Sequence, residues 1–469
     1  MTAPHIVWHR QDLRLADQPA LHHAAGLGPV IPVFILDDER PGVFRHGGAH
    51  RWWLHHSLEA LSEGLAKLGS PLVLRRGDSV AELTKLVTET SAAAVHAIRH
   101  YEPWWLKAEG DLAAALPEGV ALHLHDGNFL LPPDSVESGS GKPYRIYAPF
   151  AKAAMAKMPP RDPLPAPGKL DAPDDTPESD RLADWRLLPT QPDWAGGFRA
   201  FWKDAVGEDA ALRSVERFRD RIEHYATARN LPSQSGSSQL SPHLHWGEVS
   251  PATVWHSLAE PGGEGGDKFR GELLWRDFTQ NLIIQFPDYA TKHFRDEFNR
   301  FPFRDPDSDK DAAADLEAWR KGRTGYPIVD TGMRQLWDIG WMHNRVRMIT
   351  ASFLVKHLLI DWRHGERHYW DTLVDADYGN NAVNWQWIAG SGVDAQLFTR
   401  IMAPLGQSEK FDAAAYIRQH VPELARLSDA DIHDPADGVR PADYPVPLIG
   451  HREGRERALS AYRQMKAAS

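Results

Sequence analysis

The sequence predicts an N-terminal α/β domain, with a parallel sheet and flanking helices, joined to an all-α C-terminal domain. Three observations predict this fold class. Short β-branched segments alternate with amphipathic segments over the first third of the chain, which is typical of a parallel sheet with helices on its faces. Residues 159–193 then contain nine prolines and no periodic pattern. From about Phe198 onward, one helical pattern follows another.

Five short segments of the first third are predicted to be strands, because each is a β-branched or apolar run bounded by turn residues. They are His5–Trp8, Val30–Leu36, Leu72–Leu74, Ala94–Ile98 and Val120–Leu124. The clearest helix among them is Trp52–Leu68, whose leucines repeat at helical spacing on one face. No G-x-G-x-x-G motif follows the first strand, so we do not expect a dinucleotide pyrophosphate to bind there.

These patterns divide the chain into three parts: an α/β domain over residues 1–133, a linker over residues 134–197 and a helical domain over residues 198–469. The proline-rich stretch is interpreted as a long surface linker. Pro327 suits the first turn of a helix and Gly340 the position just beyond its end. The helices predicted for the third part are Leu212–Ala228, Phe269–Phe286, Ala312–Lys321, Pro327–Ile339 and Asn344–Trp362.

Composition excludes several classes of protein. The 469 residues carry 53 Lys and Arg against 64 Asp and Glu, a net charge of −11, which excludes a uniformly basic DNA-coating protein but allows a local basic patch. There is no cysteine, so disulfides, thiolate catalysis and cysteine-ligated metals are excluded, and no metal site is predicted. Apolar runs are too short for a membrane helix and no signal peptide is visible, so a cytoplasmic protein is expected.

One helical segment carries a carboxylate beside an indole. Glu272 and Trp275 lie at i and i+3, on one face of the predicted helix. This pair can present a hydrogen-bond acceptor next to a stacking surface. The alternative is an ordinary ion pair between Glu272 and Arg276 on a solvated face, and the segment taken alone favours this alternative.

A second segment places Asn344, Arg347 and Met348 on one helix face. Inward-facing arginines need anionic partners, and Asp375 and Asp377 are candidates. Residues 319–363 carry eight Lys or Arg and three Asp, a local charge of +5. Basic residues interleaved with aromatic ones suit phosphate and base contacts, although a solvated basic face is an equal alternative.

Two further motifs point to ligand contacts. If residues 384–390 are helical, Trp385 and Trp387 point about 200° apart, so that one faces inward and the other a different surface or cavity. The hydroxyl-rich turn over residues 236–242 can hold a phosphate with backbone N–H and serine hydroxyl groups. Such turns also serve simply as helix caps.

Taken together, in this order and spacing, these segments resemble the DNA photolyase/cryptochrome family, and within it the bacterial cyclobutane pyrimidine dimer photolyases. The resemblance runs from IVWHRQDLRLADQPAL to EKFDAAAYIRQHVPEL. It is strongest over residues 268–393, in WRKGRTGYPIVD, GWMHNRVRMITASFLVKHLLIDWR and NNAVNWQW. It implies an N-terminal antenna domain and a C-terminal helical domain that binds a U-shaped FAD.

The resemblance also implies roles for individual residues. The implied FAD contacts are Tyr225, Ser237, Ser238, Gln239, Leu240, Ser241, Phe269, Asn344, Arg347, Asp375, Asp377 and Asn381. The implied lesion pocket and catalytic set is Glu272, Trp275, Met348, Asn381 and Trp387, and the implied DNA contacts are Arg229, Glu272, Trp275, Arg276 and Trp387. The implied electron-transfer chain from the flavin to the surface is Trp385, Trp362 and Trp319.

The activity implied by the resemblance is light-driven repair of pyrimidine dimers in UV-damaged DNA by a monomer. Reduced FAD gives an electron to a flipped-out lesion, and the electron returns after the ring has split. Three features favour repair over blue-light signalling by a cryptochrome: Asn381 in place of the Asp of plant-type cryptochromes, the complete pocket set, and the short segment after Leu448. Met348 stands where repair of the (6-4) photoproduct requires a histidine.

Three positions depart from the family pattern. Phe269 replaces a tryptophan of many relatives, and Ala403 replaces an asparagine. Trp104 and Trp105 stand where folate-binding bacterial relatives have an Asn-Glu pair. A second, antenna chromophore is expected to be methenyltetrahydrofolate or a deazaflavin, and the sequence does not choose between them.

Overall fold

The computed structural model of the protein describes residues 2–258 and 263–467, which form two compact units. The first unit consists of Met1–Glu223, Ser238–Pro287 and Val374–Asp377. The second consists of His224–Ser237, Asp288–Leu373 and Tyr378–Ser469. The chain therefore changes unit several times, whereas the sequence predicted boundaries at residues 133 and 197.

A five-stranded parallel sheet forms the centre of the first unit, with the strand order β3-β2-β1-β4-β5. All five strands lie within a residue or two of the predicted segments. One face of the sheet packs Ile6, Trp8 and Val95 against helices α3 (Ser79–Thr90) and α4 (Pro103–Ala115), which supply apolar side chains such as Leu83 and Leu112. The strands are β1 (His5–His9), β2 (Val30–Leu36), β3 (Val73–Arg76), β4 (Ala94–Ile98) and β5 (Ala121–His125).

The helices of the first unit connect the strands and then continue beyond the sheet. They are α1 (Pro19–Ala25), α2 (Gly48–Leu68), α3 (Ser79–Thr90), α4 (Pro103–Ala115), α5 (Tyr147–Met155), α6 (Gly196–Phe201), α7 (Glu208–Arg219), α9 (Ser241–His245), α10 (Pro251–Ser257) and α11 (Glu264–Gln285). Helix α2 begins four residues before the predicted start, and it ends at Leu68 as predicted. Gly69 follows it in the left-handed conformation, with φ of 108°, which suits a glycine C-cap.

The proline-rich stretch is not a loose linker. Its backbone pairs with the edge of the α/β region: Leu170 N–H donates to Leu68 O at 2.7 Å, and Asp180 N–H donates to Leu74 O at 2.8 Å. Leu170 is also buried. Prolines prevent regular ladders but leave single N–H groups free to pair with a sheet edge. The stretch is therefore held against the α/β region by single hydrogen bonds, and its assignment as a linker stays a prediction.

The second unit contains α8 (Tyr225–Ala228), α12 (Lys310–Arg320), α13 (Pro327–Ile339), α14 (Asn344–Ser352), α15 (Trp362–Thr372), α16 (Tyr378–Ala389), α17 (Pro404–Lys410), α18 (Ala414–His420) and α19 (His451–Ala467). Helix α13 has the predicted bounds. Among the described residues, no helix has both the length and the apolar character that crossing a bilayer requires.

The helix predicted over Asn344–Trp362 is broken in the structure. Helix α14 ends at Ser352, a π-helical turn covers Phe353–His357, and Leu359 adopts a left-handed conformation with φ of 54°. Asp361 then caps α15 by accepting the Arg363 N–H at 2.9 Å. Continuous apolar periodicity hid this break, since Leu359 stays buried although the chain changes direction there.

Similarly, the predicted helix Leu212–Ala228 is divided into α7 and α8. A short 3-10 turn, Ile222–His224, separates them. Helix α11, predicted to begin at Phe269, starts five residues earlier and places Glu272 and Trp275 in its interior.

Candidate functional site

Helix α11 presents Glu272 and Trp275 side by side, and both are partly exposed. Tyr147 of α5 packs its ring against the Trp275 indole, with 4.9 Å between ring centroids and an interplanar angle of 63°. The Tyr147 hydroxyl donates to Gly271 O at 2.6 Å. Burial, aided by the charge of Glu272, raises the pKa of Tyr147 to about 12, so this phenol remains a donor at neutral pH. Tyr147, anchored by its hydroxyl, therefore holds the Trp275 indole in place through an edge-on ring contact.

Tyr147 was missed by the sequence analysis. It lies at the start of a short helix in the segment assigned to the linker, where no periodic pattern singled it out. The recurrence of aromatic residues in KPYRIYAPF was the available signal.

Arg276 was predicted to contact DNA, and the structure turns its guanidinium inward. It donates to the backbone oxygens of Asn128 and, at 3.1 Å, Leu244. The same group lies 4.5 Å from the ring centroid of Phe129, and burial lowers its pKa. These contacts favour a structural role for Arg276, whose side chain is partly exposed. Its contact with DNA stays a prediction.

The next residue completes this internal anchor. The buried carboxyl group of Asp277 accepts the backbone N–H groups of Leu130, at 3.4 Å, and Leu131, at 3.0 Å. Burial raises the pKa of Asp277 to about 7. Together, Arg276 and Asp277 fix the helix that carries Glu272 and Trp275 to the segment following the sheet.

The segment Val374–Asp377 carries the two predicted aspartates of the FAD set. The Trp246 indole donates to Val374 O at 3.0 Å, and the Gln280 amide lies 3.2 Å from both carboxylate oxygens of Asp377. Asp375 is buried. Gln280 Oε1 is buried without a hydrogen-bond partner among the described residues, so one acceptor remains beside Asp377 for a donor from a ligand.

The predicted phosphate turn has the backbone of a specialised loop. Gln239 adopts the left-handed region, with φ of 55°, and Ser238 Oγ accepts the Leu240 N–H at 3.3 Å. Ser241 is the first residue of α9, and Leu240 is buried. Phe269 is also buried, with its ring 4.6 Å from that of Phe218. The first unit thus holds Ser238–Ser241 and Phe269.

In the second unit, Tyr225 is buried at the start of α8, and the Arg229 guanidinium lies 5.2 Å from its ring centroid. Ser237 follows Gly236 on the same segment. A Cβ at Gly236 would lie 2.2 Å from Ala228 O, so only glycine permits this close approach of the backbone.

Helix α14 carries Asn344, which is exposed, and Arg347 and Met348, which are partly exposed. Arg347 Nε donates to Met342 O at 2.8 Å. Arg345, the second arginine of this helix, donates to Asn230 Oδ1 at 2.6 Å, lies over the Phe411 ring and has Nη1 at 3.7 Å from Met348 Sδ. The two arginines of this helix therefore have different partners: Arg347 binds a backbone oxygen, and Arg345 binds a side-chain amide.

Asn381 is positioned by a carboxyl group that the sequence analysis missed. Its amide nitrogen donates to Glu366 O at 3.2 Å and to Glu366 Oε1 at 2.9 Å. Burial raises the pKa of Glu366 to about 8. Since both amide hydrogens are committed to Glu366, Asn381 Oδ1 is the atom it offers to a ligand. Glu366 follows Trp362 at i+4 on α15, and a carboxylate on the face of a buried aromatic was the available signal.

The three predicted electron-transfer tryptophans are all buried: Trp319 and Trp362 are 0% exposed and Trp385 is 3% exposed. Trp385 lies 6.4 Å from Trp319 and 4.9 Å from Tyr369, measured between ring centroids. Trp362 donates from Nε1 to His293 Nδ1 at 3.1 Å. None of these three rings is exposed to solvent, so a donor at the surface is not among them. Their role in electron transfer stays a prediction.

On α16 the two tryptophans differ as predicted. Trp385 is buried, whereas Trp387 is partly exposed. A helix places residues two positions apart on different faces, which explains the difference.

Comparisons with known proteins show which family this chain is similar to. A family model described as DNA photolyase matches residues 5–168, and one described as FAD binding domain of DNA photolyase matches residues 269–464. A deoxyribodipyrimidine photo-lyase of Agrobacterium fabrum is 44% identical, over 99% of this chain and 98% of the relative. Cryptochrome-1 of Arabidopsis thaliana is 34% identical, over 99% of this chain and 71% of the relative. The crystal structure of a bacterial class III photolyase from Agrobacterium tumefaciens is similar with a TM-score of 0.94 and 45% identity, covering 100% of this chain and 98% of that one.

Proposed function

Because the chain belongs to the DNA photolyase/cryptochrome family, we propose that it repairs cyclobutane pyrimidine dimers in UV-damaged DNA, as a light-dependent carbon–carbon lyase. The observation that carries this proposal is the arrangement on α11. An indole backed by Tyr147 stands beside the carboxyl group of Glu272, at the partly exposed surface of a helix whose next two residues are anchored in the interior.

This arrangement suits a flipped-out base. Extruding a dimer from the helix costs a few kcal/mol, and this cost is smallest for a damaged base. Stacking on an aromatic side chain recovers about 1–3 kcal/mol per base. Trp275 provides one such surface, and we assign a second to Trp387, whose ring is partly exposed. Glu272 supplies a hydrogen-bonding group for the pyrimidine edge, and Met348 is retained as a predicted contact of the lesion.

FAD fits the chemistry of the donors and acceptors available. Asn381 offers a single fixed acceptor, and the turn at Gln239 presents serine hydroxyls beside a helix start. Gln280 Oε1 is a buried acceptor that has no hydrogen-bond partner in the part of the chain that the structure describes. We therefore retain the FAD contacts Tyr225, Ser237, Ser238, Gln239, Leu240, Ser241, Phe269, Asn344, Arg347, Asp375, Asp377 and Asn381. When bound and reduced, FAD supplies the electron that splits the dimer after light absorption.

The protein's own contribution is positioning and exclusion of water. The neutral Glu366 carboxyl holds the Asn381 amide in one orientation, so that Oδ1 is the atom that would be offered to an N–H donor of the cofactor. Trp385 and Trp362 are proposed to carry electrons toward the cofactor, with Trp319 and Tyr369 beside Trp385. A surface-exposed donor beyond these buried rings must complete that chain.

Signalling as a cryptochrome is the second candidate, and the relatives favour repair. The cryptochromes of Arabidopsis thaliana are 34% identical, against 44% for the deoxyribodipyrimidine photo-lyase of Agrobacterium fabrum. Repair of the (6-4) photoproduct is disfavoured because Met348 cannot act as the acid or base that this reaction needs.

The decisive experiment illuminates the reduced, FAD-loaded protein with UV-irradiated oligonucleotides that contain either a cyclobutane dimer or a (6-4) photoproduct. Chromatography should show pyrimidine monomers restored from the dimer only, and only in the light. Unchanged dimers with FAD bound and reduced would refute repair. Restoration of the (6-4) lesion would reassign the substrate.

We further propose that the chain acts as a monomer in the cytoplasm, where bacterial chromosomal DNA lies. An antenna chromophore is proposed without a choice between a folate and a deazaflavin. A structure from Sulfolobus tokodaii with two FAD molecules, 29% identical with a TM-score of 0.83, makes a second flavin an additional candidate. An absorption spectrum of the purified protein distinguishes these chromophores.

A further inference from the structure

Five histidine rings are gathered on one face of the sheet, and none of them is among the residues proposed for repair. They are His5 of β1, His23 of α1, His96 of β4, and His123 and His125 of β5. We refer to these five residues as the histidine cluster.

Strand register explains how the cluster forms. His96 and His123 are directly paired on neighbouring parallel strands, and His125 lies two residues further along β5. Side chains alternate across a sheet, so these three rings share one face, while Val95, Ala97 and Leu124 face the apolar core on the other. Parallel sheets are normally apolar on both faces. Packing of the sheet therefore does not explain why imidazole side chains, and not apolar ones, occupy this face.

The rings are arranged around His96, which is fully buried. Its Nδ1 lies 3.3 Å from His125 Nε2, and its Nε2 lies 3.1 Å from His5 Nδ1. The rings of His123 and His23 have centroids 4.8 Å and 5.4 Å from that of His96. His23 also lies 5.3 Å from His125. His23 and His123 are exposed, so the cluster is open to solvent on one side.

This geometry is close to that of a metal site. Imidazole nitrogens bind zinc at about 2.0–2.1 Å, so two nitrogens on a tetrahedral ion are about 3.3–3.4 Å apart. The separation of His96 Nδ1 and His125 Nε2 already has that value. A transition-metal ion binds neutral imidazole, whose unprotonated ring nitrogen offers a lone pair.

We propose that His23, His96, His123 and His125 bind one divalent transition-metal ion of the zinc and copper class. His96 and His125 supply the preorganised pair of nitrogens, and the exposed rings of His23 and His123 rotate to close the coordination shell. His5 shares a hydrogen bond with the other nitrogen of His96 and orients it, as outer partners of ligating histidines commonly do. The ion would join α1 to β4 and β5.

A second group, His55, His56 and Glu59 on α2, has its ligand atoms closer together and is the competing site. There the Glu59 carboxylate lies 3.3 Å from His55 Nε2 and 2.9 Å from His56 Nδ1. This carboxylate already satisfies both rings, and Glu59 is exposed. The histidine cluster has no such internal acid to account for it.

The test uses metal-free, FAD-loaded protein without a histidine affinity tag, titrated with Zn²⁺ in a calorimeter. The variants are His23→Gln, His125→Gln and their combination. The control is His22→Gln, which removes an exposed imidazole from the same helix. A second control, His56→Gln, tests the competing site. FAD absorbance and circular dichroism report whether each variant folds.

We expect one Zn²⁺ per chain and an affinity at least about tenfold weaker in each single cluster variant, with both controls unchanged. Zn²⁺ should raise the melting temperature of the wild type and of both controls, but not that of the double variant, because binding stabilises only the folded state. Unchanged affinity in the double variant, or its loss in His56→Gln, would overturn the proposal. So would the absence of stoichiometric binding to the wild type.

Discussion

Glu366 is a buried carboxyl group that is protonated in the folded protein at neutral pH. Its pKa of about 8 lies above the ordinary value of 4.5, because burial penalises the charged form. The folded chain therefore binds more protons than the unfolded chain between these two pH values. Its side chain also accepts one of the two hydrogen bonds that fix Asn381.

Linkage fixes the sign of the resulting pH effect. As pH rises from about 4.5 to about 8, this group lowers the free energy of unfolding, by at most about 1.4 kcal/mol per pH unit. Glu366→Gln should remove that slope while retaining an acceptor for Asn381. Urea unfolding of both proteins across this pH range checks the prediction. Parallel curves for wild type and variant would contradict it.

Glu272 and Trp275 should separate chemistry from binding. Trp275→Ala should weaken dimer affinity by about 1–3 kcal/mol, the loss of one stacked base, and leave the yield of saturated complexes nearly intact. Glu272→Ala should lower repair yield per absorbed photon more than affinity, because both indoles still stack. Both variants are measured for dimer binding and for repair at saturation. Full yield in bound Glu272→Ala complexes would make Glu272 a positioning residue only.

Helix α15 begins after a break that a single residue stabilises. Asp361 accepts the Arg363 N–H at 2.9 Å and also pairs with the Arg363 and His293 side chains. These partners lower the pKa of Asp361, so its stabilisation is lost as pH falls through the acidic range. The cap also sets the position of Trp362, the next residue.

Asp361→Ala should cost about 0.5–2 kcal/mol of stability through loss of the helix cap. Asp361→Asn keeps a capping oxygen and should recover most of that loss. Denaturant unfolding at neutral pH compares the two variants. If Asn is no better than Ala, the carboxylate acts through its ion pairs and not as a cap.

Trp362 belongs to the same helix and is predicted to feed the cofactor. Trp362→Phe should greatly slow light-driven reduction of oxidised FAD, yet leave repair by chemically prereduced protein nearly unchanged, because the electron loop through the lesion does not pass through this ring. Flash photolysis and repair assays measure the two activities. Equal impairment of both would identify Trp362 as a packing residue, bound to His293.

Over the whole protein, DNA binding must overcome a net charge of −11, so local basic residues have to dominate at the contact surface. Arg229 is partly exposed above Tyr225, whereas Arg276 is engaged with internal carbonyl groups. These two arginines have different expected roles, although sequence reasoning treated them alike.

Arg229→Ala should weaken binding to damaged and undamaged DNA alike. It should also reduce the slope of log K against log salt by about 0.9, the value for one phosphate contact. Arg276→Ala should leave the slope unchanged and lower stability, because two carbonyl groups lose their donor. Fluorescence anisotropy at several salt concentrations gives both slopes. A selective loss of damaged-DNA binding in Arg229→Ala would place Arg229 in the lesion pocket.

Local patterns were sufficient for much of this protein. The five strands, helix α13 and the opposed directions of Trp385 and Trp387 follow from periodicity and end signals that act over a few residues. The pair Glu272 and Trp275 could be named for the same reason, since both lie within one helical turn. The family motifs, being contiguous, identified the cofactor and the reaction.

Tertiary packing decided the rest, because it joins residues that no local pattern connects. Arg276 turns inward because its guanidinium donates to carbonyl groups of residues 128 and 244, which are distant in sequence. The break at Leu359 could not be predicted from the apolar pattern, because Leu359 is buried on either side of such a break as it would be in a continuous helix. Glu366 became a neutral partner of Asn381 only when α15 and α16 packed together. The histidine cluster likewise exists only because strand register brings residues 5, 96 and 125 to one face of a sheet. These residues are close in space although they are far apart in sequence.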